Sequence, residues 1–300
     1  MEIYESVVLS NEPTAVALGF FDGVHSAHAR VIKEVCGDPS LCPTVMTFSS
    51  AHLLPQKKRE AGLLQTDEQK LECFQKLGVK RVYLLPFVEI ASMEPRQFIE
   101  TVVCQAMNAK RIACGYDYRF GANASGDASL LSAICAEKGI DLRVVPQYTS
   151  HGVTVSSTAI RQALVNGDMA LVNAFLGYPY YIKERVVHGR SLGRTLGFPT
   201  LNQPLSEKLV LPKFGVYQSR TKIDGNWYRS ITNIGVKPTI EGVRAPLAET
   251  YLLDASGDFY GMIARVELFK LTRAEQKFAD VTELKETVHR DIACRQAQPF

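Results

Sequence analysis

Short apolar runs alternate with segments of helical periodicity through the first half of the chain. The runs predict strands at residues 14–18, 44–48, 82–85, 111–115 and 142–145. The segments between them predict helices at residues 25–36, 66–77, 95–107 and 128–138. Such alternation indicates an α/β domain with a parallel sheet covered on both faces, in which ligands bind at the carboxyl ends of the strands.

The pattern changes in the second half. Residues 157–177 predict two short helices, after which Tyr178-Pro179-Tyr180 interrupts the periodicity. Apolar alternation then comes in short pieces, and Asp224-Gly225 between two of them is a strong hairpin signal. With one final helix at residues 281–294, these pieces predict a small antiparallel β-barrel. The predicted strands lie at residues 181–187, 215–221, 227–233, 249–253 and 262–271.

This change places a domain boundary near residue 180, with an α/β domain at residues 1–180 and a β-barrel domain at residues 181–300. A chain of 300 residues is long enough for two domains of ordinary size. With 46% hydrophobic and 22% charged residues, the chain can bury a sizeable core.

Charge and cysteine usage narrow the classes of partner. The net charge of +3 is too small to indicate nucleic acid as the main partner, whereas anionic small molecules are compatible with it. The seven cysteines are scattered without C-x-x-C spacing, which is typical of reduced thiols in a cytosol. The acidic N-terminus lacks the basic region of a signal peptide, and no apolar run is long enough to span a bilayer. We therefore expect a cytoplasmic protein that binds neither nucleic acid nor membranes, with its oligomeric state left open.

A glycine- and arginine-rich stretch opens the barrel domain. Gly189, Gly193 and Gly197 lie within nine residues, interleaved with Arg190 and Arg194. Glycines let the backbone approach a ligand closely, and guanidinium groups match phosphate oxygens. The stretch lacks the G-x-x-x-x-G-K-[ST] pattern of a Walker A loop. It therefore predicts either a phosphate-binding loop of another kind or a glycine-rich turn that closes a barrel strand.

Two neutral oxygen donors follow this stretch directly. Thr200 and Asn202 lie two residues apart, so on an extended segment both side chains face the same way. Such a pair suits a Mg²⁺ ion that keeps several waters and is shared with ATP phosphates. Thr200 and Asn202 are thus the candidate metal ligands.

A second candidate phosphate site follows the first predicted strand, in G-F-F-D-G-V-H-S-A-H. His25 and His28 lie three residues apart and share a face of the first helical turn, beside the positive end of that helix. Zinc is not supported, because further ligands at suitable spacing are missing. The alternative is a pair of capping or core histidines.

Hydroxyl groups at a later helix start favour the phosphate interpretation. Ser157 and Thr158 lie at the predicted start of a helix, and Arg161 follows one turn later. Together they make a second phosphate-binding helix terminus.

The stretch G-R-S-L-G-R-T-L-G-F-P-T-L-N resembles the signature of riboflavin kinases, with Leu201 where that family usually has alanine. Segments 214–217, 233–239 and 249–254 continue the resemblance, although Tyr251 replaces a usual histidine. The resemblance implies a kinase domain after residue 180, with Glu249 as the candidate catalytic base. For Arg273 it leaves open flavin contact or a salt bridge to the terminal helix. It implies nucleotide binding by Gly189, Gly193, Arg194 and Gly197.

H-x-x-H near the start and S-S-T-x-x-R near residue 160 resemble the nucleotidyltransferase superfamily, and G-F-F-D-G-V-H is the form seen in bacterial FAD synthetases. This implies a Rossmann-like nucleotidyltransferase domain with His25 and His28 as catalytic residues. G-Y-D-Y-R-F-G at 115–121 is similar to a further family segment and implies flavin binding by Asp117 and Arg119. The implied nucleotide-binding residues are Gly19, Phe20, Phe21, Asp22, Ser157, Thr158 and Arg161.

Together the two resemblances identify the chain as similar to the bacterial bifunctional riboflavin kinase/FAD synthetases, which use riboflavin, FMN, ATP and Mg²⁺. Three departures concern the first half: Ala27 in place of a superfamily glycine, Thr47-Phe48-Ser49-Ser50-Ala51-His52 where the family reads T-F-x-P-H-P, and no basic residue at 123–125. Two alternatives follow. One is a riboflavin kinase with a degenerate adenylyltransferase domain, and the other is a flavin- or nucleotide-binding regulator without turnover.

The two implied reactions differ in what they demand. A ribityl hydroxyl is very weakly acidic, so its attack on the γ-phosphorus of ATP needs a proton acceptor, here Glu249. The FMN phosphate is already mostly ionised at neutral pH, its second pKa being about 6. It can attack the α-phosphorus directly, and the site must instead align two anions and stabilise the charge that passes to pyrophosphate. We therefore expect hydrogen-bond donors to the phosphates in the first half of the chain and one proton acceptor in the second half.

Overall fold

The computed structural model describes residues 1–189, 197–238, 244–253, 255 and 257–298. The chain divides into two compact units, unit 1 at Met1–Ser157 and unit 2 at Thr158–Phe300. Gly193 and Arg194, both predicted to bind nucleotide, lie outside the described residues.

Unit 1 contains the predicted parallel sheet. Its strands are β1 (Glu2–Tyr4), β2 (Thr14–Leu18), β3 (Cys42–Phe48), β4 (Arg81–Leu85), β5 (Ala109–Gly115) and β6 (Asp141–Val145). They pair in the order β1-β4-β3-β2-β5-β6, and each neighbouring pair is parallel. All five residues of β2 are buried, because a central strand covered on both faces needs apolar or small side chains throughout. A small hairpin follows, formed by β7 (Thr149–Ser150) and β8 (Val153–Thr154).

The connections of unit 1 are helical, as predicted, although their details differ. The helices are α1 (Ser26–Lys33), α2 (Gln56–Ala61), α3 (Asp67–Lys76), α4 (Phe87–Ile90), α5 (Pro95–Gln97) and α6 (Ala128–Lys138). The predicted helix at 95–107 continues from α5 as a π-helix over Phe98–Ala106. Thr66 and Gln69 form a capping box that fixes the start of α3.

The strand order places the carboxyl ends of β2 and β5 side by side. From β2 the chain continues to β3 on one side, whereas β5 lies on the other side. Such a reversal of strand order is the topological switch point at which open parallel sheets bind ligands. The segments after Leu18 and after Gly115 both leave the sheet at this point.

Unit 2 contains an antiparallel sheet that nearly closes into a barrel, as predicted. Its strands are β9 (Tyr181–Arg185), β10 (Thr200–Pro204), β11 (Gly215–Ile223), β12 (Asn226–Pro238), β13 (Arg244–Leu252) and β14 (Ile263–Ala274). They pair in the order β10-β13-β12-β11-β14-β9. A bridge between Val187 and Asn202 connects the two ends of this order. Asp224-Gly225 forms the predicted hairpin turn between β11 and β12, with Asp224 at φ 47°.

A chain of hydroxyl groups crosses the inside of this sheet. Thr221, Ser230, Ser219, Thr232 and Thr250 are each fully buried. Successive hydroxyl oxygens in that order lie 2.8, 2.8, 2.8 and 3.0 Å apart. Buried hydroxyls of this kind are stable because each satisfies its neighbour.

Helices α7 (Ser157–Asn166) and α8 (Met169–Leu176) group largely with the barrel. The backbone N–H of Lys213 donates to the Leu164 carbonyl at 3.0 Å, and Asn173 Nδ2 donates to the Leu268 carbonyl at 2.9 Å. Unit 2 thus begins before residue 180. The domain boundary near residue 180 stays a prediction.

The predicted closing helix is α9 (Val281–Gln296), and polar groups attach it to the sheet. Arg295 is buried and its Nε donates to the Ser219 carbonyl at 3.0 Å. Asp280 caps the start of the helix through the N–H groups of Thr282 and Glu283. Among the described residues, the helices all fall short of the length and apolarity that crossing a membrane requires.

Candidate active sites

The loop between β2 and α1 has a tight, strained backbone. Phe21 and Val24 adopt φ values of 51° and 34°, which side chains other than glycine rarely do. At Gly19 an added Cβ would lie 2.8 Å from the ring of Phe21. Close packing therefore requires glycine at position 19. The strained backbone of the loop persists because contacts with the surrounding structure maintain it.

Asp22 anchors this loop from within. Its side chain is 1% exposed, and its Oδ1 accepts the backbone N–H of Leu64 at 2.9 Å. Its carbonyl accepts the hydroxyl of Ser157 at 2.9 Å. The structure thus brings Ser157, at the start of α7, to the loop. The nucleotide-binding roles of Thr158 and Arg161 stay predictions. Asp22 is a structural anchor, whose role in nucleotide binding stays a prediction.

The two motif histidines stack at the start of α1. Their ring centroids lie 3.5 Å apart, and His25 Nδ1 accepts the backbone N–H of His28 at 3.3 Å. His25 therefore caps the helix, as the capping alternative expected. His28 packs edge-on against Phe21, and its Nδ1 is buried without a hydrogen-bond partner among the described residues. Such a buried, unpaired nitrogen costs stability, so its presence calls for an explanation such as a functional role.

Burial and positive neighbours set the protonation of His28. Burial is the first cause that lowers its pKa well below 6.5, and His25, Lys58 and Lys70 add to the effect in that order. His28 is therefore neutral at physiological pH in the free protein.

The segment after β5 carries the predicted flavin-binding residues. Arg119 is mostly exposed, and its Nη1 lies 3.5 Å from Asp127, the N-cap of α6. Tyr118 and Phe120 stack at 5.5 Å, and at Gly126 an added Cβ would lie 2.8 Å from the Phe120 ring. At Gly115 an added Cβ would meet Asp117 Oδ1 at 3.1 Å. The structure places both predicted residues at the switch point, and their contact with flavin stays a prediction.

Residues 47–52, which differ from the family motif, still contact the loop between β2 and α1. Thr47 Oγ1 donates to the Phe20 carbonyl at 2.9 Å. Ser49 and Ser50 both donate to Asp67, Ser50 through its backbone N–H at 2.7 Å. Two serines therefore fasten this segment to the start of α3.

In unit 2 two of the predicted kinase residues, Asn202 and Glu249, lie in one row of the sheet. Asn202 on β10 pairs with Glu249 on β13, which pairs with Asn233 on β12. Directly paired residues point to the same face, so the three side chains stand together. Asn233 Nδ2 donates to the Glu249 carboxylate at 3.3 Å. Asn233 lies in the segment 233–239 that resembles the kinase family, but the sequence alone indicates no role for this residue.

The glycine-rich stretch contacts this row through Gly189. Gly189 lies so close to Asn202 that an added Cβ would be 2.5 Å from Nδ2. Asn202 is 6% exposed, and its Nδ2 donates to the Thr200 carbonyl at 3.3 Å, which leaves the amide oxygen as its acceptor. Gly197 adopts φ 91°, a value that favours glycine. Phe198 then packs edge-on against Tyr251 and against His289 of α9.

Arg273 forms the salt bridge that the alternative expected. It contacts Asp291 on α9, with Nη2 at 2.9 Å and Nε at 3.0 Å from Oδ2. The pair is largely buried, so it fixes the terminal helix to β14. Direct contact of Arg273 with flavin stays a prediction.

The candidate metal ligands, Thr200 and Asn202 of unit 2, are oxygen donors. Among the described residues, no group of three or more His, Cys, Asp or Glu side chains could hold a metal ion. The Thr200 hydroxyl and the Asn202 amide oxygen are hard donors that suit Mg²⁺. This donor set therefore fits a magnesium ion that takes its remaining ligands from water and phosphate.

Two family models match successive parts of the chain. A family model described as FAD synthetase matches residues 8–159, and one described as riboflavin kinase matches residues 176–298. A curated relative from Bacillus subtilis (strain 168), named bifunctional riboflavin kinase/FMN adenylyltransferase, is 35% identical over 286 residues, covering 93% of this chain and 90% of the relative. A relative of the same name from Escherichia coli (strain K12) is 38% identical over 287 residues, covering 93% and 91%.

A solved structure shares the fold along the whole chain. It comes from Streptococcus pneumoniae, is titled as a macrolide-efflux protein, and covers 100% of both chains with a TM-score of 0.88 and 27% identity. That title differs from the names of the curated relatives, with which both family models agree.

Proposed function

The chain belongs to the family of bifunctional riboflavin kinase/FMN adenylyltransferases, and we propose that Glu249 serves its first reaction and His28 its second. The protein phosphorylates riboflavin to FMN with ATP, and it adenylylates FMN to FAD with release of pyrophosphate. Both halves match their family models, so the kinase-only and the non-catalytic alternatives are not retained.

The row Asn202–Glu249–Asn233 is the observation that carries the kinase assignment. Glu249 accepts the ribityl hydroxyl proton as the oxygen attacks the γ-phosphorus of ATP. The amide of Asn233, at 3.3 Å, orients this carboxylate. Gly189 and Gly197, the described residues that flank positions 190–196, let backbone N–H groups approach the phosphates.

Enzymes of these two ATP-using families generally need a divalent metal. We assign that role to Mg²⁺, with Thr200 and Asn202 as its protein ligands. The ion would neutralise phosphate charge as the phosphoryl group transfers. The placement of Thr200 and Asn202 on one side of β10, beside Glu249, supports the assignment.

The adenylyl transfer is assigned to the loop after β2. His28, the start of α1 and the start of α7 with Ser157, Thr158 and Arg161 supply donors for the phosphates of ATP. His25 holds the helix start, and Gly19, Phe20, Phe21 and Asp22 shape the loop. Asp117 and Arg119 are assigned to FMN because they lie at the switch point beside this loop.

The cellular setting is proposed on independent grounds. All seven cysteines are free thiols, which supports a reducing compartment such as the cytoplasm.

Mixing two variants tests both assignments at once. Glu249→Gln is expected to make no FMN from riboflavin yet to convert added FMN to FAD, whereas His28→Ala is expected to stop at FMN. A mixture of the two should make FAD from riboflavin and ATP. Glu207→Gln and His52→Gln, at exposed positions of the two halves, are the matched controls and should retain both steps. Unchanged riboflavin turnover by Glu249→Gln, or FAD at the normal rate from His28→Ala, contradicts the corresponding role.

A further inference from the structure

Two ammonium groups lie beside the ring of Phe20, in the loop after β2. Lys58 Nζ lies 4.8 Å and Lys70 Nζ 5.1 Å from the ring centroid. Phe20 is two residues before Asp22, so both lysines stand at the carboxyl end of the parallel sheet, where this architecture binds its ligands. Neither lysine was singled out from the sequence.

Lys70 is engaged with the framework. It is 3% exposed, donates to the Phe48 carbonyl at 3.2 Å and forms an ion pair with Asp67 at 3.5 Å. A buried ammonium group needs such partners to remain charged. Lys70 therefore serves mainly to hold α3 and the end of β3 together.

Lys58 stands in a different setting. It lies on α2, whose sequence Q-K-K-R-E-A offers no apolar face, and its side chain is half-buried beside Phe20. Its charge acts on His28, whose pKa it helps to lower. His28 Nδ1 is the buried nitrogen without a partner among the described residues.

Lys58 and Lys70 thus bring two positive charges to the ring of Phe20, and Asp67 pairs with the charge of Lys70. An opposite charge bound near an ammonium group favours its charged form. The groups that meet in adenylyl transfer are the FMN phosphate and the triphosphate of ATP, both of them anions. A lysine on a flexible stem can follow a phosphate whose position changes during the reaction.

We propose that Lys58 is a phosphate-binding residue of the adenylyl-transfer reaction. The inference rests on the proposed site around His28. In this reaction a phosphate oxygen of FMN bonds to the α-phosphorus of ATP, and the bond from the α-phosphorus to the oxygen that bridges to the β-phosphorus breaks. That oxygen keeps the electron pair and leaves on pyrophosphate. The ammonium group of Lys58 stabilises either the attacking phosphate or this leaving group, which share the same chemistry.

Steady-state kinetics of the full-length protein test the proposal, with FMN, ATP and Mg²⁺ as the substrates of the second step. Lys58→Met should lower kcat/KM for FAD formation roughly tenfold to a hundredfold, as expected for a charged hydrogen bond. Lys58→Arg should retain most of the activity. Arg59→Gln removes the next cation on the same helix, at an exposed position, and should behave as the unmodified protein. Riboflavin phosphorylation by each variant verifies that unit 2 is folded, and urea unfolding verifies that unit 1 is folded.

The substrate whose KM rises identifies the bound phosphate. A rise for FMN assigns Lys58 to the attacking phosphate. A rise for ATP, together with a rise for pyrophosphate in the reverse reaction from FAD, assigns it to the leaving group. Normal kinetics of Lys58→Met overturn the proposal, and if His28→Ala is impaired in the same assay, the proposed adenylyl-transfer site stands without Lys58. Normal kinetics of both variants overturn that site as well.

Discussion

The two candidate sites are built by opposite means. The site in unit 1 consists of loop and helix-start residues at the ends of strands, held by a strained backbone at Phe21 and Val24 and by the buried carboxylate of Asp22. The site in unit 2 consists of side chains within strands, where the register sets Asn202, Glu249 and Asn233 in one row. One site therefore depends on loop conformation and the other on strand pairing.

The difference matches the chemistry of the two reactions. Aligning two anions calls for N–H groups and positive charges, which helix starts provide. Removing a proton calls for one acceptor at a fixed distance, which a rigid strand row positions well. Substitutions should therefore separate the two activities cleanly.

The largest separation is expected from Glu249→Gln. The change keeps the side-chain size and removes the acceptor, so kcat of riboflavin phosphorylation should fall by roughly 10²–10⁴ while KM for riboflavin changes little. FMN adenylylation should be unaffected. Product quantification in separate assays of the two steps measures this, and a similar loss in both steps would show that the variant is misfolded.

Gly189→Ala should also impair the kinase step alone. Its Cβ would lie 2.5 Å from Asn202 Nδ2, so this buried side chain must move away from its proposed metal-binding position. We expect kcat/KM to fall roughly tenfold to a hundredfold, as for loss of one charged contact, with a higher Mg²⁺ requirement. Magnesium titration of the kinase reaction measures the shift. Gly37→Ala, where no atom lies within 4 Å of the added Cβ, is the control.

Thr232→Val tests the framework that fixes the row. Valine removes the hydroxyl between Ser219 and Thr250, which leaves each of these two residues without one partner. The free energy of unfolding of unit 2 should fall by roughly 1–3 kcal/mol, whereas Thr221→Val at the end of the chain should cost less. Urea unfolding of the two variants compares them, and equal losses would argue that the hydroxyls act independently.

The smallest expected effect is a change in the stability of unit 1 with pH. The pKa of His28 lies well below 6.5 in the folded protein, so the unfolded chain takes up this proton first as pH falls. The stability of unit 1 should therefore decrease below about pH 6.5, by about 1.4 kcal/mol per pH unit until the folded pKa is reached. Urea unfolding at pH 7.5 and at about pH 5.5 should show the decrease, His28→Gln should reduce it, and His52→Gln should preserve it.

The sequence predicted the regular elements well because most have a clear apolar pattern. β2 and the hairpin at Asp224-Gly225 lie where periodicity and turn chemistry place them. β1 was missed because three residues at a sheet edge carry no pattern, and α2 was missed because Q-K-K-R-E-A has no apolar face. The π-helix over Phe98–Ala106 has the same composition as an α-helix, so sequence predicted only its helical character.

The candidate sites were predictable as residues but not as contacts. Motifs identified Glu249 and Asn202, whereas their direct pairing depends on a strand register that the 46 intervening residues do not specify. Asn233 and Lys58 were missed for the same reason, since each acquires its place through tertiary packing. Arg273 had two possible partners in the sequence, and the structure shows Asp291.

The hydroxyl chain inside the barrel also constrains how the sequence can diverge. If a relative has an aliphatic residue in place of one of the five, the neighbouring hydroxyl loses its hydrogen-bond partner. If two adjacent residues are replaced together, the donor and its acceptor are lost at once. Drift at Ser219, Ser230 and Thr232 should therefore proceed by paired replacement, and the barrels of distant relatives should carry either the alcohols or a fully aliphatic lining.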